Sequence, residues 1–199
     1  MKPVIAFVGY VTSGKDRAAE IAQDRGFALF SGGDLLRSIA DELGIPKDRD
    51  SLIRYGNLYR RRFGSDIIFR GAVQEIKAAP EGSKHVLHSF RNPAEVELVQ
   101  KELGALVVEV WAPPEVRFQR MPDRNKEGDP KTWEAFQRLE DIDHGIGQEL
   151  SGQNIAECVA LAEVVIRNEG TLRDLEGKID ELLISRGFIE GNPPRKEVH

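Results

Sequence analysis

The chain has 199 residues, and 28 Lys and Arg set against 33 Asp and Glu give a formal net charge of 28 − 33 = −5. That length suits one ordinary domain, and 40% hydrophobic with 31% charged residues excludes a disordered chain in favour of a globular one with a charged surface. The longest apolar runs are strand-sized, far short of the roughly 20 residues of a membrane span, and the net acidity speaks against wholesale binding to nucleic-acid phosphates.

Met1-Lys2-Pro3-Val4 leads directly into a strand-like segment with no apolar leader or small-residue cleavage site, so cytoplasmic residence is the default expectation. Val4 to Val8 is a continuous apolar run ending at Gly9, the pattern of a strand buried on both faces of a parallel sheet. Arg17 to Arg25 follows helical spacing and is closed by Gly26; Phe27 to Phe30 reads as a second strand. From Asp34 to Ala79 helical spacing dominates, and breaks near Gly44-Ile45-Pro46 and at Gly64 predict three helices. His85 to His88 reads as a third strand, Pro93 to Leu103 as a helix opened by its proline, and Ala105 to Val110 as a fourth strand. Pro113-Pro114 opens a helix that gives way to a polar stretch, Pro122 to Pro130, with the composition of a mobile loop. Helical patterns resume at Thr132, Ala162 to Ile166 reads as a fifth strand, and Leu172 to Ser185 as a closing helix before a tail, after Gly191, that is expected to fray. Strands and helices alternating in this way predict right-handed βαβ units and a parallel sheet covered on both faces. Cys158, the only cysteine, excludes an internal disulfide and a Cys-based zinc cluster, and its apolar helical setting predicts core packing.

The chemistry is concentrated after the first strand. Gly9-Tyr10-Val11-Thr12-Ser13-Gly14-Lys15-Asp16 matches G-x-x-x-x-G-K and departs only at the next position, where Ser or Thr is usual. Glycines let backbone N–H groups turn inward around an anion, the following helix presents its positive end, and Lys15 adds a cation, so the segment suits a nucleoside triphosphate. Asp16 is a hard oxygen ligand suited to Mg²⁺. The third strand ends His88-Ser89-Phe90-Arg91, where P-loop proteins commonly carry an Asp in the Mg²⁺ shell. The two departures are expected to be linked, Asp16 supplying the carboxylate that His88 does not; a degenerate loop without turnover is the alternative. His85 and His88, three apart on a strand, point to opposite faces and are expected to pack or hydrogen-bond rather than share a metal ion.

The P-loop, Gly33-Asp34-Leu35-Leu36-Arg37, Phe90-Arg91 with Glu95-Val96-Glu97, Pro113 to Arg120, Asp129-Pro130-Lys131-Thr132-Trp133-Glu134, Gly145-Ile146-Gly147 and Asn168-Glu169-Gly170-Thr171 occur in an order that resembles adenylate-kinase-related and dephospho-CoA-kinase-related proteins. These are P-loop proteins like nucleoside monophosphate kinases, and the resemblance runs from Val4 to about Leu183. A loop ending Gly-Lys-Asp is also similar to that of phage deoxynucleoside monophosphate kinases and animal phosphomevalonate kinase, which makes Asp16 compatible with activity. The resemblance implies an α/β P-loop NTPase three-layer sandwich with a five-stranded parallel sheet, a helical acceptor-binding insert and a lid. Its core would be about 1–32, 84–121 and 143–190, the insert about 33–79 and the lid about 120–138.

The implied activity is ATP- and Mg²⁺-dependent phosphoryl transfer to a small nucleotide acceptor. ATP would lie on Gly9, Thr12, Ser13, Gly14, Lys15, Asp16 and Arg17, with Asn168 and Gly170 near the base and Asp16 on the metal. Asp34, Arg37, Arg54 and Arg91 would contact the acceptor, and Lys15, Arg91, Arg120, Arg124 and Arg138 would surround the moving phosphoryl charge. Arg60-Arg61-Arg62 cannot all face one ligand from a helix, and Tyr55, Tyr59 and Phe63, four apart, look like a core stripe. An NTP hydrolase or switch, a non-catalytic nucleotide-binding regulator and a nucleic-acid end kinase are the competing readings. A homodimer is compatible with all of them, and no membrane partner is expected.

Overall fold

The computed structural model describes residues 2–124, 129–147, 149 and 151–191. In chain order the elements are β1 (Val4–Val8), α1 (Lys15–Asp24), β2 (Phe27–Ser31), α2 (Gly32–Glu42), α3 (Arg49–Phe63), α4 (Ile67–Ala78) and β3 (Lys84–His88). Then follow α5 (Pro93–Leu103), β4 (Leu106–Trp111), α6 (Pro114–Gln119), α7 (Met121–Arg124), α8 (Trp133–Asp143), α9 (Ile155–Ala160), β5 (Val164–Arg167) and α10 (Leu172–Ser185). The strands form one sheet in the order β2-β3-β1-β4-β5, and every pairing is parallel. β1 is central, with the chain leaving it toward β3 and β2 on one side and later returning to β4 and β5 on the other. The switch in direction therefore falls at β1 and β4, where open α/β sheets bind ligands beyond the strand ends.

Both faces of the sheet are covered, as the unbroken apolar run of β1 requires. Ile5 and Phe7 pack with Ile21, Leu175, Ile179 and Leu183 under α1 and α10. Val4, Ala6 and Val8 point the other way, into a layer with Phe69, Val73, Val96 and Val99 from α4 and α5. Cys158 is fully buried in that second layer, as expected. A third, smaller cluster joins Val11 of the P-loop to Met121 and Phe136, with Phe118, Trp133 and Leu139 around it.

Local chemistry fixes the helix starts. Asp48 and Thr132 cap α3 and α8 through side-chain oxygens, and α5 and α10 open with full capping boxes, Asn92 with Glu95 and Thr171 with Asp174. The expected boundaries hold to within about two residues. α1 begins at Lys15 rather than Arg17, because the chain enters the helix directly from the left-handed Gly14. β4 and β5 each run on to the pair Trp111 and Arg167, which are partners in the parallel register. The expected loop 122–130 opens inside the short α7, which takes in 122–124, while 125–128 and the tail after Gly191 lie outside the described residues. Tyr55, Tyr59 and Phe63 do stack along one face of α3, with centroid separations of 5.5 and 4.8 Å, but Phe63 is exposed, so the stripe is half-buried rather than core. Among the described residues no helix is long and apolar enough to cross a membrane.

Candidate functional site

The loop after β1 is built around two positions that admit no side chain. Gly9 has φ 148°, and a Cβ there would stand 2.5 Å from the carbonyl oxygen of Val110. Gly14 has φ 102°, and its Cβ would stand 2.2 Å from Asn168 Nδ2, which donates to the carbonyl of Ser13 at 2.8 Å. Any larger residue would separate the loop from the segment after β5. Thr12, at φ 54°, donates through Oγ1 to the carbonyl of Arg117 at 2.6 Å. No side chain caps α1, so the loop and helix start retain the character of an anion cradle. Lys15 is buried, with Nζ 3.4 Å from the Tyr10 carbonyl and 3.4 Å from Asp16 Oδ1.

Asp16 and His88, the two departures from the usual motif, touch: His88 Nδ1 lies 3.1 Å from Asp16 Oδ1. The Lys15 ammonium foremost, with the His88 hydrogen bond behind it, outweighs partial burial and holds the Asp16 carboxyl well below the usual carboxylate range. An ionised carboxylate only accepts hydrogen bonds, so Nδ1 of His88 is the protonated ring nitrogen. Ser89 Oγ, on a residue with φ 64°, lies 3.1 Å from the same Nδ1. His85, on the opposite face as its spacing requires, meets Ser83 Oγ through Nε2 at 2.8 Å and is buried.

Arg91, just past β3, is held by its backbone on both sides. Its N–H donates to Glu95 Oε2 at 2.8 Å and its carbonyl accepts from the Asn154 N–H at 2.8 Å. Glu95 is fully buried and also accepts from Arg60 Nε at 2.7 Å, an ion pair in which Arg60 is only 3% exposed. The Arg91 guanidinium reaches Asp143 Oδ1, at the end of α8, at 3.4 Å. Asp143 is 1% exposed, and its Oδ2 has no hydrogen-bond partner among the described residues.

The arginines of α6 to α8 separate into different roles. Arg117 is buried: Nη1 donates to Glu140 Oε1 at 2.6 Å, Nε donates to the Ala112 carbonyl at 3.0 Å, and the guanidinium lies 5.0 Å from the Tyr10 ring centroid. Arg120 donates from Nη2 to the Asn168 carbonyl at 3.0 Å, while its buried Nη1 has no partner among the described residues. Burial lowers the Arg120 pKa below its ordinary value. Arg124 ends α7, and its side chain lies outside the described residues. Arg138 is exposed on α8, about 200° round the helix from Phe136 and Glu140, which face Arg117. Asn168 is buried and turned toward the P-loop, while Gly170 is exposed before the α10 cap. Arg17 is exposed and pairs with Glu20 at 2.7 Å.

In the helices after β2, Asp34 and Arg37 pair with each other at 2.9 Å and are at least partly exposed, and Arg54 is exposed on α3. An open cleft of about 500 Å³ lies at the end of α3, lined by Arg60, Arg61, Gly64, Ser65, Glu149 and Ser151. The residues present suit Mg²⁺ bound with a nucleotide. Such an ion takes most of its ligands from phosphate and water, so the one ionised carboxylate of Asp16 suffices, although no group of three or more His, Cys, Asp or Glu among the described residues forms a metal site by itself.

No family model matches the chain. It is 31% identical over 186 residues to the UPF0200 protein of Pyrococcus furiosus, covering 90% of this chain and 95% of the relative. The chain belongs to the UPF0200 family. The UPF0200 protein of Pyrococcus horikoshii is 29% identical over 184 residues, covering 90% of this chain and 95% of that one. Among solved structures, TT1252 from Thermus thermophilus superposes with a TM-score of 0.61 at 18% identity, covering 96% of this chain and 99% of that one. Shikimate kinase from Acinetobacter baumannii gives 0.56 at 18% identity, covering 95% and 97%, and dephospho-CoA kinase from Campylobacter jejuni 0.51 at 17%, covering 92% and 97%. The fold of this UPF0200 chain is that of the P-loop kinases.

Four features of the site escape sequence reasoning. The Asn92-Pro93-Ala94-Glu95 segment carries a capping-box signature, so Glu95 as an acceptor was discoverable, but its pairing with Arg60 was not. The burial of Asp143, the turn of Asn168 toward Ser13 and the bond from Thr12 to Arg117 are tertiary contacts with no local signal.

Proposed function

We propose that the protein transfers the γ-phosphoryl group of ATP to a small phosphorylated acceptor, a nucleoside monophosphate or a nucleotide-like molecule such as dephospho-CoA. The observation that carries this reading is the contact between Asp16 and His88 beside Lys15. The two substitutions that depart from the P-loop pattern compensate each other, and an ionised carboxylate stands next to the phosphate-binding lysine.

In this reading Gly9, Thr12, Ser13, Gly14 and Lys15 cradle the phosphates, Arg17 and Gly170 border the nucleotide, and Asn168 holds the loop in shape. Mg²⁺ held by Asp16 supplies positive charge to the phosphates when bound. Arg91, Arg120, Arg124 and Arg138 are the cations for charge developing during transfer, and Nη1 of Arg120, without a partner among the described residues, has a hydrogen bond to offer. Residues about 33–79, with Asp34, Arg37 and Arg54, form the acceptor lobe, and about 120–138 the lid that excludes water.

The test is ATP consumption with Mg²⁺ across a panel of ribo- and deoxynucleoside monophosphates and dephospho-CoA. Turnover should rise sharply with one acceptor, and Asp16→Ser should abolish it. Acceptor-independent turnover would instead make the protein an NTP hydrolase, and near-normal rates in Asp16→Ser would remove the role given to the carboxylate.

A further inference from the structure

Asp143 is placed badly for a residue that serves stability alone. Its carboxylate is 1% exposed, so it has little water to solvate it. It is the last residue of α8, where the helix dipole is unfavourable to negative charge. Among the described residues Oδ1 has only the loose 3.4 Å contact with Arg91 Nη1, and Oδ2 has no partner. The other buried acid among the described residues, Glu95, is different: it accepts hydrogen bonds from three groups.

The position is also at the chemistry. Arg91 stands close enough to the P-loop for its charge to act on Asp16. Asp143 acts similarly on Tyr10, the second residue of the loop, whose hydroxyl burial foremost raises to a pKa of about 12. The next residue, His144, stacks on the Tyr10 ring with centroids 4.9 Å apart. A vacant carboxylate acceptor beside an arginine and the phosphate loop calls for a ligand that brings a hydrogen-bond donor. An ionised phosphate oxygen brings none and would be repelled; a hydroxyl brings one.

Resting on the kinase reading above, we infer that the attacking group of the acceptor is a hydroxyl, and that Asp143 Oδ2 accepts its hydrogen bond and then its proton. The acceptor oxygen forms a bond to the γ-phosphorus, the bond from that phosphorus to the β–γ bridging oxygen breaks, and its electron pair leaves with ADP. The hydroxyl proton passes to Asp143 and from there to water. Arg91 keeps the anionic part of the acceptor alongside. The substrate class is thereby narrowed to anionic molecules carrying a free hydroxyl, and the product is a phosphate monoester rather than a phosphoanhydride.

The experiment combines a phosphoryl-transfer panel, read by phosphorus NMR of the products, with the variant Asp143→Asn. Hydroxyl acceptors should give monoester product. Asp143→Asn should lower kcat by about 10²-fold or more, leave the KM for ATP unchanged, and raise the melting temperature, because it removes a buried charge held only by the 3.4 Å contact with Arg91. A purely structural role in holding Arg91 predicts the opposite sign for the thermal shift. A fall in melting temperature, an unchanged kcat, or phosphoanhydride product from nucleoside monophosphates overturns this inference alone. Failure of the wild-type protein to phosphorylate any acceptor while it still binds ATP overturns the kinase reading, and this inference with it.

Discussion

The buried pair of Arg60 and Glu95 joins α3 to the start of α5, and Arg60→Met tests what that junction is worth. Glu95 Oε2 takes the N–H groups of Arg91 at 2.8 Å and Asn92 at 3.2 Å, while Oε1 takes Arg60 Nε at 2.7 Å. Removing Arg60 therefore leaves a fully buried carboxylate with one oxygen satisfied by the backbone and the other bare. Breaking a buried pair in this way costs about 3–5 kcal/mol. For a chain of this size, at roughly 2–4 °C per kcal/mol, the melting temperature should fall by about 6–20 °C. Adding Glu95→Gln removes the stranded charge but keeps an oxygen for the two N–H groups, so the double variant should be less destabilised than the sum of the singles. A double-mutant cycle by urea unfolding should give a coupling of about 2 kcal/mol, within the range for touching residues. Additive losses, with a coupling under about 0.5 kcal/mol, would refute the role assigned to the pair.

Asp16 has a folded-state pKa lowered from the ordinary 3.8. The stability it contributes is therefore full above that value and lost progressively as pH falls below it, so Asp16→Asn should flatten the stability profile between about pH 5 and about pH 2 relative to the parent. Urea unfolding across that range checks this, and parallel profiles would count against the Lys15 and His88 contacts. Cys158 is fully buried, and burial pushes its thiol pKa up. It should resist thiol reagents in the native protein and react at once on unfolding, whereas labelling of the folded chain at the rate of a free thiol would contradict its place in the core.

The fold was readable where the pattern is local. β1 is a continuous apolar run between Pro3 and Gly9, and α5 opens on its own proline, so both were delimited to the residue. Less of the site was legible. Lys15 and Asp16 sit in a contiguous motif, and the His88 substitution stood out because the third strand has a conventional ending against which to compare it. Arg60 could not be told from Arg61 and Arg62 by spacing, since only the fold decides which of three adjacent cations turns inward; it buried the first and left the other two exposed. Asp143 looked like one more acid in Glu140-Asp141-Ile142-Asp143, because a missing hydrogen-bond partner is a property of the packed structure and leaves no trace in composition.

The tie between α6 and α8 has an evolutionary consequence. Arg117 meets Glu140 across 23 positions of chain, and the carbonyl of the same Arg117 receives the Thr12 hydroxyl. The excursion between them is thus stitched shut at its root, on the phosphate loop's own support. Chain added beyond such a stitch is inexpensive, since doubling a loop adds only about 0.6 kcal/mol of closure entropy. Changes of length in that stretch are tolerable only where they leave Met121 and Phe136 packed on Val11 of the loop, which confines them to the segment between those two anchors.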